Sequence, residues 1–326
     1  MNDGHSEHWP AGEPAAADRL DEVLGPLRAY LTATCAEVER GERPPAVLLL
    51  AFEGWNDAGQ AATGTLEVLC QQWETVGLPP ICDGDYYDYQ VTRPTVRRDA
   101  DGMGTIEWPS LRVSEAHLDA EGSPVLEAPA PPDGLRVLVC SGVEPNVRWR
   151  SYTDELLTAA RGWGVDAIIV LGALLADVPH TRPLPARASS AHVDVRVALD
   201  AERPSYEGPT GIVGVVTDTS ARAGLPTLSL WGAVPHYVAQ FPSPKALLGL
   251  VEALRGVLHV PVSTLEVEAE AEAWERSVDE VASEDTDVAA YVAQLEQAAD
   301  AQELPEASGD AIAREFERYL RGRRES

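Results

Sequence analysis

Residues 46–59 read AVLLLAFEGWNDAG, a continuous apolar run followed at once by a polar segment with two glycines. A run of this length without polar alternation is typical of a strand that is covered on both faces. Three more runs of this kind occur at 135–140, 167–171 and 226–231, and helix-length stretches lie at 58–73, 150–163, 212–223 and 244–258. Strands and helices therefore alternate, which predicts a three-layer α/β/α sandwich with a mostly parallel central sheet.

The remaining parts of the chain have other patterns. Residues 1–17 lack apolar periodicity and are expected to form a flexible tail. An amphipathic helix is expected from Asp18 to Val38, because apolar residues recur there at steps of three and four. Short segments broken by glycine and proline over 83–126 predict antiparallel hairpins at the sheet edge. Residues 18–261 are thus interpreted as one α/β domain with an N-terminal helix.

Residues 262–326 form a separate acidic helical extension in this interpretation. Eighteen acidic residues and six arginines lie between Ser263 and Ser326. Asp285 interrupts an apolar heptad pattern, which predicts a turn between two antiparallel helices. A last helix is expected after Ser308, with Ile312, Phe316, Tyr319 and Leu320 on one face.

The apolar stripe of the extension has two interpretations, which a heptad this short does not decide between. It packs on the α/β domain of its own chain, or it buries an interface between subunits. The stripe consists of Trp274, Val278, Val281, Val288, Val292 and Leu295.

Composition excludes several classes of function. The chain has 326 residues with 25 basic and 53 acidic side chains, and a net charge of −28 opposes binding to nucleic acid. Lys245 is the only lysine, which excludes most Schiff-base and lysine-dependent phosphate sites. The longest apolar run, 167–176, is about half of what a membrane span needs. Without a signal-peptide pattern at the N-terminus, a cytoplasmic location away from membranes is expected.

A polar or glycine-rich loop follows each of the four apolar strands. In open parallel sheets, ligands collect at the loops that follow the carboxyl ends of the strands. If the sheet forms as predicted, side chains from the four loops converge on one rim that could bind a small anion or a polar metabolite. The members of this candidate rim are Asn56, Asp57, Glu144, Asn146, Arg148, Asp177, His180, Arg182, His236 and Tyr237.

Structural roles are the alternative for these side chains. Asp57 is well placed to cap the following helix, and Glu144 can pair with Arg148 or Arg150 within the chain. A lone loop histidine is more often a hydrogen-bonded structural residue than a base or a ligand. The glycine spacing in 208–214 differs from the nucleotide-binding motifs, and no nucleophile elbow or zinc-binding pattern is found. No catalytic residue, metal site or cofactor is therefore expected.

The loop sequences in combination resemble the actinobacterial branch of the proteasome assembly chaperone two family. The resemblance covers about 47–258 and lies mainly in 52–59, 142–150, 172–183, 206–211 and 235–238. It implies an α/β/α domain similar to nucleoside phosphorylases and peptidyl hydrolases, which assembles with itself or with a paralogue; a trimer is expected on the same ground. Eukaryotic and archaeal members bind the proteasome core through a C-terminal hydrophobic-Tyr-any tail, whereas this sequence ends in RRES.

Two functions from different classes follow. The first, which is preferred, is a non-catalytic homo-oligomeric protein that binds other proteins, including those of the proteasome system. The alternative is a metabolite-binding protein or a phosphorylase-like or hydrolase-like enzyme that uses the rim.

Overall fold

The computed structural model describes residues 25–125, 130–238 and 242–303 of the chain. The tail expected over 1–17, the first residues of the expected N-terminal helix and the helix expected after Ser308 lie outside the described residues.

A seven-stranded sheet forms the centre of the fold. Its order is β2-β5-β6-β1-β7-β9-β8, and β3 and β4 form a separate two-stranded hairpin. The strands are β1 (Ala46–Glu53), β2 (Val76–Ile81), β3 (Thr95–Arg98), β4 (Gly104–Glu107), β5 (Leu111–Leu118), β6 (Leu135–Val143), β7 (Ala167–Ala176), β8 (Arg187–Ser189) and β9 (Thr227–Pro235).

The predicted mostly parallel sheet is confirmed. β1 pairs in parallel with β6 on one side and β7 on the other, and β7 pairs in parallel with β9. The antiparallel pairs are β2–β5, β5–β6 and β8–β9, so five of the seven strands run in one direction. Parallel strands must be covered on both faces because their crossover helices lie there, which explains the continuous apolar runs in the sequence.

Helices cover both faces of the sheet, as the sandwich requires. Apolar side chains of α1, α3, α5 and α7 pack on one face, and those of α4 and α6 pack on the other. The helices are α1 (Pro26–Thr34), α2 (Ala36–Glu39), α3 (Ala61–Gln72), α4 (Trp149–Gly162), α5 (Val193–Leu199), α6 (Ile212–Arg222), α7 (Pro244–Leu258), α8 (Leu265–Glu284) and α9 (Thr286–Glu303). Among the described residues, no helix combines the length and the apolar character needed to cross a membrane.

Two of the predicted loops are strands in the structure. β7 and β9 stay paired through Ala176 and Pro235, so 172–176 and 232–235 belong to the sheet. The prediction ended these strands too early because their second halves contain small residues and a glycine. The pairing of β7 with β9 continues beyond the part of β7 that pairs with β1. The last paired residues of β1 and β7 are Leu50 and Val170. Beyond Val170, the edge of β7 on the β1 side meets the segment after β1 through a bridge between Asp57 and Ala173.

Three other local predictions need correction. The N-terminal helix does not continue unbroken to Val38, because Cys35 has an extended backbone between α1 and α2. The region expected to form hairpins at the sheet edge also supplies β5, which pairs between β2 and β6 within the main sheet. The strands β2 and β8 and the helix α5 were not predicted, since each is short or lacks a strong apolar period.

The acidic extension forms two helices that meet at Asp285, as predicted. α8 packs along α7, and α9 packs on α8. Of the apolar stripe, Val278, Val292 and Leu295 are buried within the chain, Trp274 and Val288 are half-buried, and Val281 is 67% exposed.

Candidate functional site

The segment that follows β1 turns sharply onto α3. Gly54 and Gly59 have φ values of 115° and 59°, a backbone region that disfavours side chains. A Cβ atom at Gly59 would also collide with Ser243 at the start of α7. Glycine is therefore required here both for the turn and for the close packing of two helix starts.

Asp57 caps α3. Its Oδ1 accepts hydrogen bonds from the amides of Ala62 (2.8 Å) and Thr63 (3.3 Å), and its Oδ2 accepts one from the Thr63 hydroxyl. Burial raises the pKa of the Asp57 carboxyl, although these donors favour the anion. These contacts are those of a helix cap, the structural role considered for Asp57.

Glu144 and Asn56 form a second group beside α6. Glu144 Oε1 accepts hydrogen bonds from the Ile212 amide at 2.8 Å and from Asn56 Nδ2 at 3.1 Å. The backbone carbonyl of Asn56 in turn accepts a bond from the Ala173 amide of β7. A carboxylate at a helix N-terminus is favourable because the first amides of a helix lack partners, so Glu144 stabilises the start of α6.

Asn146 and Arg148 order the segment that follows β2. Asn146 Oδ1 accepts bonds from the Asp88 amide and the Thr92 hydroxyl at 2.9 and 3.0 Å. Arg148 Nη1 donates to Asp85 Oδ2 at 2.8 Å. Both side chains are exposed, and Arg148 pairs with Asp85 in place of the ion pair with Glu144 that the sequence suggested.

His180 is the most buried member of the predicted rim, with 1% exposure. Its Nε2 lies 2.9 Å from Asp279 Oδ1 in α8, and its Nδ1 lies 2.8 Å from the Tyr237 hydroxyl. A carboxylate only accepts, so Nε2 carries a proton, and in the neutral ring Nδ1 accepts from Tyr237. The Tyr237 hydroxyl also accepts a hydrogen bond from the backbone amide of His180 at 2.9 Å. The hydroxyl therefore both donates and accepts a bond with the same residue.

Arg182 extends the contact between this loop and the extension. Its guanidinium bonds both carboxylate oxygens of Asp300, at 2.7 and 3.0 Å, and approaches Glu296 at 3.4 Å. The neighbouring Thr181 hydroxyl donates to Glu296. This loop therefore binds α9 through side chains from consecutive residues.

Asp177 and His236 complete the contact with α9. Asp177 Oδ1 lies 3.2 Å from both the Tyr291 hydroxyl and His236 Nδ1. The His236 ring packs edge-on against the rings of Tyr237 and Tyr291. Tyr237 is partly buried by these contacts, which raises its pKa to about 12.

Lys245 is a further member of this contact that sequence reasoning did not place in the candidate rim. Its Nζ donates to the His180 carbonyl and to Glu275 of α8, each at 2.5 Å. The only signal for it in the sequence is its uniqueness as the sole lysine, which carries no information about its partner.

The ten rim residues thus form three hydrogen-bonded groups. Asp57 and Glu144 accept amides at helix starts and Asn56 donates to Glu144, Asn146 and Arg148 bind the segment after β2, and the other five contact the extension. The last group is Asp177, His180, Arg182, His236 and Tyr237.

Two large clefts open beside these groups. The first, about 1430 Å³, lies between the β3–β4 hairpin and α3 and has charged walls of both signs. Two of its three arginines, Arg97 and Arg112, pair with Glu107 and Glu53 at 3.1 and 3.3 Å. The second, about 1270 Å³, lies beside the carboxyl ends of β1 and β7, along β8 and the first half of β9, and has mainly apolar walls.

Comparison with known proteins agrees with this fold. The model of the PAC2 family matches residues 51–282. A PAC2 family protein from Streptomyces avermitilis is 41% identical, with a TM-score of 0.68, and the match covers 76% of this chain and 99% of that one. A proteasome-assembly chaperone homologue from Mycobacterium tuberculosis is 40% identical, with a TM-score of 0.64 and the same coverage.

A more distant likeness concerns the fold alone. An archaeal homologue of a proteasome-assembly chaperone from Pyrococcus furiosus is 16% identical, with a TM-score of 0.52, over 78% of this chain and 96% of that one. The comparison with curated proteins gave no match.

Proposed function

Because the chain belongs to the PAC2 family, we propose that it is a non-catalytic, homo-oligomeric protein with a chaperone-like role, whose partners belong to the proteasome system. Support for the partners comes from the Mycobacterium tuberculosis relative, whose name identifies it as a proteasome-assembly chaperone homologue. The proposal places the protein in the cytoplasm and treats residues 262–326 as an extension of the 18–261 domain.

The observation that supports a non-catalytic role is that the polar rim side chains already bond other groups of the same chain. Asp57 and Glu144 are bonded to helix amides, His180 is bonded on both ring nitrogens, and Arg182 is bonded to Asp300. A general base or nucleophile needs a proton-transfer partner within reach in the site. Here those positions are taken by the protein's own amides, hydroxyls and carboxylates, so these side chains serve the fold.

For self-assembly, Val281 is the clearest candidate contact. It is 67% exposed on α8, whereas Val278, Val292 and Leu295 of the same stripe are buried against the chain itself. Trp274 contacts the His180 ring, so its substitution would also disturb the monomer. Val281 is thus the member of the predicted interface stripe that the described part of the chain leaves most exposed, which makes it the position to test. We therefore assign Val281 to the subunit interface, with a trimer as the expected assembly.

Sedimentation velocity of Val281→Asp tests the assembly. The variant should sediment as a monomer where the wild-type protein sediments as an oligomer, since a buried unpaired carboxylate opposes association. Val197→Asp is the matched control, because Val197 is 81% exposed on α5, away from the extension. An unchanged assembly in Val281→Asp would remove the extension from the interface.

Direct binding to purified proteasome subunits tests the partner. Subunits of the core particle from the source organism would be mixed with the full chain, and complexes would be measured by sedimentation and by the yield of assembled core particles. A faster or more complete assembly is expected. Absence of any complex with the core subunits would contradict the assignment to the proteasome system.

The enzyme alternative makes a different prediction. A screen of nucleosides, nucleotides and phosphate esters would raise the melting temperature if the rim bound such a ligand. His180→Ala and Arg182→Ala are poor probes, because both residues hold the extension on the domain. A ligand that raises the melting temperature and is turned over would favour the enzyme over the chaperone-like role.

A further inference from the structure

The second cleft, which lies beside the carboxyl ends of β1 and β7 and along β8, carries exposed large apolar side chains. Trp55 and Tyr206 are 70% and 72% exposed, and Leu174 and Leu175 are 45% and 49% exposed. All four line the same cleft. Single exposed apolar residues are ordinary, but several that share one concave surface are typical of an interaction site.

The exposure of Leu174 and Leu175 follows from their position near the end of β7. Leu174 and Leu175 lie in the part of β7 that pairs only with β9, beyond its register with β1. Trp231 of β9 forms the inner wall, and its ring lies against Gly172, where a Cβ atom would collide with it. Leu174, Leu175 and Trp231 are therefore held on paired strands, a rigid support that favours a docking site, whereas Trp55 and Tyr206 lie in the segments after β1 and before α6.

Two arginines with unpaired guanidinium groups border the cleft. Arg187 and Arg203 are exposed, and neither guanidinium forms an ion pair or a hydrogen bond within the part of the chain that the structure describes, although the backbone of Arg187 pairs with β9. The described acidic residues of the lining are Glu202, which is exposed, and Asp57, whose carboxylate is bonded to α3. In a chain with a net charge of −28, two free guanidinium groups beside an apolar surface favour an acidic occupant.

The size of the cleft favours a chain segment over a small molecule. Its volume is about 1270 Å³, above the range of roughly 300–1,000 Å³ for small-molecule pockets. The lining also includes Trp55, Trp231, Tyr206, Arg187 and Arg203, and Trp, Tyr and Arg are the residue types enriched among protein-interface anchors.

We propose that this cleft is the docking site for an extended segment of a partner protein that presents an apolar or aromatic side chain next to carboxylates. The proposal rests on the protein-binding function argued above and specifies the surface that performs it. The apolar side chain of the partner packs between Trp55, Leu174 and Trp231, and the carboxylates pair with Arg187 and Arg203.

Fluorescence polarisation with a defined peptide tests the proposal. The probe is a fluorescein-labelled peptide of sequence EDLWDE with blocked ends, titrated with the full chain at low and at physiological salt. Binding is expected to weaken with salt, because the contact is partly electrostatic. Trp55→Ala and the double variant Arg187→Glu/Arg203→Glu should each weaken binding about tenfold or more. Arg150→Glu is the matched control, since Arg150 is exposed and lies outside the cleft.

A charge-swapped peptide separates the site from an effect on folding. The peptide KRLWRK should bind the Arg187→Glu/Arg203→Glu variant more tightly than it binds the wild-type protein, which a misfolded variant would not show. No binding of EDLWDE to the wild-type protein, or equal binding by the wild-type protein and the Trp55→Ala and double variants, would overturn the proposal.

The same variants distinguish the proposed docking cleft from the proposed role in the proteasome system. If proteasome subunits bind the wild-type protein and the double variant equally, the function stands and the docking site is wrong. If the peptide result holds and the subunits do not bind, the site stands and the proteasome assignment is wrong. Loss of self-association in the double variant would identify a second copy as the occupant and would also overturn the proposal.

Discussion

Asp57 shows how a polar residue in a signature segment can serve the fold. Its carboxylate meets two amides and one hydroxyl at the start of α3, and the side chain is buried. Burial alone would disfavour a charged group, whereas the unpartnered amides of a helix start favour it. The two effects compete at this residue, and the raised pKa of Asp57 shows that desolvation is the larger.

Asp57→Ala should lower the free energy of unfolding by about 1–2 kcal/mol, because it removes the cap of α3. Asp57→Asn, which keeps the shape of the side chain, isolates the charge. A carboxyl whose pKa is raised in the folded state contributes stability that is present below its unfolded pKa and is lost as the pH rises through the folded pKa.

The stability of the wild-type protein relative to Asp57→Asn should therefore increase as the pH is lowered from neutral towards the ordinary value of 3.8. Urea unfolding of both proteins at matched pH values measures this difference. A difference that stays constant, or that decreases at low pH, would mean that hydrogen bonding to the anion outweighs desolvation at Asp57.

Tyr237 offers a second test at the residue scale. Its hydroxyl accepts the His180 amide and bonds His180 Nδ1 at 2.8 Å. Tyr237→Phe removes the hydroxyl that bonds the buried His180 amide and His180 Nδ1. A loss of about 1–3 kcal/mol in unfolding free energy is therefore expected. Tyr291→Phe is the matched control, because it removes only the bond to the exposed Asp177. Equal losses in the two variants would contradict the structural importance of the His180–Tyr237 pair.

At the scale of elements, α8 is joined to the domain through polar side chains as well as apolar packing. Lys245 at the start of α7 bonds Glu275 of α8, and His180 bonds Asp279 one turn further along α8. Val267, Ala271 and Val278 bury the apolar side of the same helix. The extension is thus fixed in register by bonds that only one placement of α8 satisfies.

Lys245→Met should loosen this contact while keeping most of the apolar stem of the side chain. Amide hydrogen exchange is expected to become about tenfold faster in α8 and α9, with no change in the central strands, because the lost bonds act on the docking of these helices. Lys245→Arg keeps a cation, so its exchange rates in α8 and α9 should lie between those of the wild-type protein and those of Lys245→Met. Exchange that rises in the central strands as much as in α8 and α9 would contradict a local role for Lys245.

At the scale of the whole molecule, the net charge of −28 dominates. Copies of such a chain repel each other at long range, and the charge of the extension adds to this repulsion. Salt screens the repulsion over about 10 Å at 0.1 M. If the protein assembles through an apolar contact at Val281 of its extension, salt should favour the assembly.

The sedimentation coefficient of the wild-type protein should accordingly increase between about 0.05 M and about 0.5 M NaCl at a fixed protein concentration. Val281→Asp should remain monomeric at both concentrations. Dissociation of the wild-type assembly by salt would show that ion pairs between subunits, rather than apolar contacts, hold it together.

Sequence reasoning succeeded where the controlling interactions are short in range. The apolar runs predicted the four parallel strands, Asp57 was considered as a helix cap, and Asp285 was expected to separate two helices. It failed at the ends of β7 and β9, because pairing between strands far apart in sequence continues the ladder through residues with no strong strand preference of their own.

The sequence by itself determined the layered α/β fold, the family and the acidic character of the chain, because strand and helix periods and composition are local properties. Only the tertiary structure decided which partner each rim residue takes. His180 bonds Asp279, and Glu144 bonds the Ile212 amide, across 99 and 68 positions. Such pairs depend on how α8 and α6 pack against the sheet, and no pattern within either segment encodes that placement. The same packing leaves Trp55, Arg187 and Arg203 around one open cleft.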